Sequence, residues 1–159
     1  MESGPAGENG TTPDGQGIQT SVILDGDDGD IARARHLATA FLTRAQVEHG
    51  LLVSQRAVDL TQLVVSELVT NARKCATGPA LLDLAVAGDT VEIAVWDSAP
   101  VLPVARAADA GRLGQHGLEI VMSVAQAFEL RREAVGKRVI ARLALAEDPS
   151  DLFTGHQPM

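Results

Sequence analysis

Cysteine occurs once in the 159-residue chain, at Cys75. One thiol can build neither a disulfide framework nor the paired spacing of a structural zinc site. Long apolar runs are missing too. None approaches the ~20 residues a membrane helix needs, and the N-terminus lacks the charged and apolar regions of a signal peptide. Positive charge is scarce. The 13 Lys and Arg are outnumbered by 21 Asp and Glu, a formal net charge of −8. That balance argues against direct contact with nucleic acid, which needs clustered cations. The expectation is a soluble, cytoplasmic protein with neither membrane nor nucleic-acid partners.

What is present is apolar and periodic. Apolar residues make up 45% of the chain, enough for one globular domain. The two ends differ from the middle. Residues 1–17, rich in Gly, Pro and polar side chains, read as a disordered tail, and residues 147–159 as a second tail. The folded domain is expected over residues 18–146.

IQTSVIL (18–24) reads as a strand. The acidic run DGDDGD (25–30) misses the calcium-loop spacing, because Gly29 falls where a ligand belongs and no Glu closes the loop. It is better read as a turn whose carboxylates cap the next helix. Ile31, Ala34, Leu37, Ala38, Phe41 and Leu42 recur at helical spacing, and Gly50 marks a stop. A second helix is expected from an N-cap at Ser54 to about Ala76. Then the period changes to two: 80–88 and 91–97 read as a hairpin turning at Gly88-Asp89. Residues 98–116 form a long loop, 117–127 a third helix, and 128–134 with 137–145 a closing hairpin around Val135-Gly136. The order β, α, α, β, β, loop, α, β, β predicts an α+β two-layer sandwich. Its sheet is expected to be mixed, mostly antiparallel and of about five strands, with three helices on one face.

In the second helix, VSELVTNARKCA (65–76) places Glu67, Asn71 and Lys74 on the border of the apolar arc. A solvated edge with a Glu67–Asn71 or Glu67–Lys74 contact worth a few tenths of a kcal/mol accounts for it. So does a ligand rim: Asn supplies a neutral oxygen for Mg²⁺, Lys neutralises phosphate, and Glu orients or deprotonates an attacking group. Asp97 ends a strand at the mouth of the loop, where a carboxylate could accept from an exocyclic amino group such as adenine's. It is also ordinary turn chemistry. Gly111, Gly114 and Gly117 recur every third residue into a helix start. Free N–H groups there attract phosphate, and Arg112 and His116 add donors.

Taken together, SELVTNARKCA, VWDSAPVLP, GRLGQHGLEIV and VGKRVIARL resemble, in order and spacing, the N box, the two glycine boxes and the closing strands of the GHKL superfamily of gyrase- and histidine-kinase-type ATPases, which has the Bergerat fold. The resemblance spans about residues 18–146. Within the superfamily, the wording is most similar to the stand-alone anti-sigma-factor serine/threonine kinases of the RsbW/SpoIIAB type. It implies ATP and Mg²⁺ as cofactors, Asn71 as the Mg²⁺ ligand, and Glu67 as the catalytic base or water-orienting group. Lys74 matches a phosphate-contacting position, Asp97 the adenine-binding Asp, and residues 98–116 the ATP lid. Arg112, Gly114, His116, Gly117 and Leu118 fall among its remaining nucleotide contacts. Some positions depart from the pattern. Ala99 and Val101 stand near the usual glycines, Gln115-His116 replaces a glycine-containing pair, Cys75 stands where His is frequent, and Val139 where a Thr often helps hold adenine.

The function implied is transfer of the ATP γ-phosphoryl group to a Ser or Thr of a protein partner. By resemblance that partner is a sigma factor or an anti-sigma-factor antagonist, and a homodimer is allowed. The alternative is a non-catalytic nucleotide-binding module that regulates transcription by sequestering a partner. A catalytic fragment of a histidine kinase is disfavoured, because no helical dimerisation segment with a phosphoacceptor His precedes the domain.

Overall fold

A computed structural model describes residues 17–99 and 117–146. The expected tails and most of the expected lid lie outside the described residues. The elements run β1 (Ile18–Leu24), α1 (Asp30–His49), α2 (Gln55–Cys75), β2 (Ala80–Ala87), β3 (Thr90–Asp97), α3 (117–124), β4 (Ala127–Arg132) and β5 (Lys137–Ala144). The sheet order is β1-β2-β3-β5-β4, and all four pairings are antiparallel. The last strand is therefore inserted between β3 and β4. Those two run in the same direction, but β5 separates them, so the mixture of directions never becomes a parallel ladder.

Local chemistry sets the boundaries. Ser54 accepts a hydrogen bond at its Oγ from the Ala57 N–H (3.0 Å) and opens α2 as an N-cap. Gly50 closes α1 in the left-handed region at φ 65°. The acidic turn behaves differently from its expected capping role. Asp30 accepts from the Gly26 N–H (2.7 Å) and Asp27 from the Gly29 N–H (3.1 Å), so these carboxylates hold the turn itself, and no side chain caps α1. Helix α3 stops at 124 rather than 127. The Gln126 N–H is taken by the Arg142 carbonyl (2.8 Å), and sheet pairing wins over a stretch with no helix-stop residue.

The helices share one core with one face of the sheet. Ala34, Ala38, Phe41 and Leu42 of α1, Val64, Val65, Leu68 and Val69 of α2, and Val121 of α3 join Leu82, Leu84, Ile93, Val95, Val139 and Leu143 in one buried cluster. Burying each Leu- or Phe-sized side chain contributes about 1.5–3 kcal/mol. The opposite sheet face is polar, with cross-strand pairs Arg138–Asp83 and Arg142–Glu92. Among the described residues, no helix is long and apolar enough to cross a membrane.

Candidate functional site

One rung of the sheet marks the end of the domain where the chemistry gathers. Leu24 pairs with Ala80, Ala80 with Asp97, Asp97 with Lys137, and Lys137 with Arg132. Because strand side chains alternate, Asp97 shares the core-facing side with Ile93 and Val95, and Lys137 with Val139 and Leu143. Helix α2 ends at this same pole. Cys75 leads through 76–79 directly into Ala80, the cross-strand neighbour of Asp97. Arg73, near the end of α2, bonds the Gly26 carbonyl (3.5 Å) and faces Asp28 (3.9 Å), so the acidic turn after β1 flanks that pole as well.

The polar rim of α2 is graded in depth. Asn71 is buried at 6% exposure, Glu67 is half-buried, and Lys74 is exposed. A helical wheel gives angle and not depth, so Asn71 lies further in than its border position suggested. Among the described residues its Oδ1 receives the weak Cys75 thiol, at 3.9 Å. Glu67 meets the start of α3. A Cβ built on Gly117 would lie 2.5 Å from the Glu67 Oε1. The missing side chain at 117 is therefore the space the Glu67 carboxylate occupies, and a residue of the second helix is brought against the first residue after the long loop.

Asp97 is held from two sides. Its Oδ1 accepts from the Ala99 N–H (2.8 Å), and its Oδ2 is paired with the Lys137 ammonium. The side chains of the pair are 2% and 0% exposed. Gly136, at φ +80°, lets the β4–β5 turn lie against the Asp97 carbonyl oxygen, and a Cβ there would fall 2.9 Å from the Ser98 Cα. Gly136 thus supports the site as well as making the turn. Lys137 is the residue that sequence reasoning missed. Val139, the position matched to an adenine-contacting Thr, pairs with Val95 one layer deeper in the core. The period-two run Lys137, Val139, Ala141 and Leu143 carried the signal, because a lysine on that face must be buried.

The model of the histidine kinase-like ATPase domain matches residues 26–143, well over half of the chain. The chain belongs to that family. No curated protein matches it. The ATPase domain brings ATP binding with it as the coarse function, and its fold is the α+β arrangement expected. Asn71 and Lys74 lie near the end of α2 that leads to the rung carrying Asp97, and Gly117 meets Glu67 further back on the same helix. Leu118, half-buried, packs its side chain against the core. Arg112, Gly114 and His116 lie outside the described residues.

The chemistry of Asn71 fits an Mg²⁺ ligand. Among the described residues there is no cluster of His, Cys, Asp and Glu that could cage an ion. Mg²⁺ is commonly bound by one or two protein oxygens while retaining water and phosphate oxygens, and the buried Asn71 amide oxygen, which among the described residues meets the Cys75 thiol, could supply one of them.

Gly117→Ala is expected to leave stability nearly unchanged, because the flexible Glu67 end can swing aside. Any activity that uses the Glu67 carboxylate should fall by at least tenfold, in line with general-base contributions of ~100-fold or more. Thermal unfolding and turnover measured on one preparation check both halves.

Proposed function

We propose that the chain is an ATP-dependent regulatory kinase of the anti-sigma-factor type, acting on a Ser or Thr of a cytoplasmic protein partner in transcription control. The partner class proposed is a sigma factor or an anti-sigma-factor antagonist. The observation that carries the proposal is the Glu67 carboxylate lodged against Gly117, four residues from the buried Asn71 amide. A base thus stands beside an oxygen ligand, at the junction of helix and loop where a γ-phosphate would lie. Glu67 accepts the proton of the attacking hydroxyl. Asn71 and Lys74 hold the metal–phosphate end, and the metal, when bound, neutralises charge on the transferring group. Positioning and charge do most of the work in such a transfer.

Calorimetry of Mg²⁺-dependent ATP binding tests the reading. Asn71→Ala should weaken binding on the order of 100-fold, the scale of disrupting the organisation of a metal site. Binding indifferent to that change would remove Asn71 from the metal, and no binding to the native chain would remove the proposal. Label transferred from γ-labelled ATP to a partner Ser or Thr would establish the kinase. The engagement of both Asp97 oxygens by the chain itself favours a second reading, a nucleotide-sensing module that sequesters its partner. Partner capture with ATP bound and no labelled phosphoserine would select it.

A further inference from the structure

We infer that the free edge of β1 is a self-association surface: a second copy of this chain adds its own β1 there in antiparallel register, joining the two sheets edge to edge. The inference is independent of the nucleotide reading above.

Strand β1 ends the sheet, and among the described residues only β2 pairs with it. Every second residue of β1 therefore turns its N–H and C=O away from the sheet, an open template for another strand. Sheet edges are ordinarily guarded by charge, proline or shortness. The opposite edge is guarded in this way, since β4, AFELRR, carries Glu129, Arg131 and Arg132 within six residues. Strand β1, IQTSVIL, has seven residues with no charge and no proline, and its Ile23 is 61% exposed. In a chain of net charge −8 it is a neutral strip where two copies can meet without repulsion.

Burial points to a strand as the occupant. Ile18, Thr20 and Val22 lie on the core-facing side but are only half-buried, whereas Leu82, Leu84, Ile93 and Val95 on interior strands are closed over entirely. A neighbouring strand with apolar side chains on that side would finish their burial. The strand's own copy fits. About a two-fold axis through Ser21, Ile18 faces Leu24 of the second copy and Thr20 faces its Val22, while on the other side Gln19 faces Ile23 and Ser21 faces its counterpart. Because strand side chains alternate, this register sets core-side residues beside core-side residues, and a slip of one residue would break the match. Such an interface is isologous and closes as a dimer. The acidic turns that follow each β1 fall at opposite ends of the paired strands, roughly 20 Å apart and beyond the screening length of about 8 Å.

Sedimentation velocity of the full chain across roughly 1–100 μM should show a monomer–dimer equilibrium. Ser21→Lys sets two ammonium groups face to face across the axis and should raise the dimer Kd roughly fivefold or more. The fold tolerates that lysine, because Asp83, its cross-strand neighbour on β2, has the opposite charge. Arg131→Ser, on the far edge of the sheet, should leave the Kd unchanged. The register is read by oxidative crosslinking in a Cys75→Ser background. Ser21→Cys should form an intermolecular disulfide, and Gln19→Cys should link to Ile23→Cys chains but not to itself. A chain that stays monomeric throughout the range overturns the inference. So does a dimer whose Kd ignores Ser21→Lys, or one in which Ser21→Cys does not crosslink.

Discussion

Lys137→Met is expected to destabilise the domain by about 3–5 kcal/mol, the usual cost of removing one partner from a buried ion pair. The loss comes less from the attraction given up than from what stays behind. Asp97, at 1% exposure, would be left buried with the Ala99 N–H as its one partner among the described residues. Replacing both partners, as Asp97→Asn with Lys137→Met, should recover most of the loss, because no buried charge then remains. Urea unfolding of the two single variants and the double variant forms a cycle that checks the claim. A single-variant cost below about 1 kcal/mol would mean that water reaches the pair.

Gly136→Ala should cost about 3 kcal/mol or more, roughly 10 °C in Tm for a domain of this size. Two causes act together. The backbone sits at φ +80°, where any side chain is strained, and the added methyl would press on the Asp97 carbonyl and the Ser98 Cα. These are backbone atoms with no rotamer to retreat into, so the turn has to move away from the end of β3. Gly88 is the internal control. It also has positive φ, but open space surrounds its Cβ direction, so Gly88→Ala should cost only about 1 kcal/mol. Equal losses at the two positions, measured by thermal unfolding, would show that contact with Asp97 adds nothing.

The architecture was legible because most elements carry strong periods and plain stops. Ile18–Leu24, Asp30–His49 and the start of α2 at Ser54 fall where alternation, helical spacing and capping chemistry put them. Helix α3 was read three residues too long because Ala125–Ala127 contain nothing against a helix, and only the distant Arg142 carbonyl decides otherwise. The candidate site was half legible. The elements bearing Glu67, Asn71, Asp97 and Gly117 could be chosen from residue chemistry at the ends of helices and strands. Lys137 could not be chosen that way, since its meaning lies in a register with a residue 40 positions earlier. The alternation of its strand puts Lys137 on the core-facing side, but only the pairing of that strand with β3 gives it Asp97 as a partner.

The insertion of β5 between β3 and β4 carries a consequence for the order of events during synthesis. A chain still on the ribosome and ending before Lys137 already holds Glu67, Asn71 and Asp97, but β3 has an open edge and Asp97 has no counter-ion. Only when the final strand emerges does that edge close and the carboxylate gain its cation, in one docking event. The buried ion pair that closes this end of the sheet is therefore completed last, and all at once.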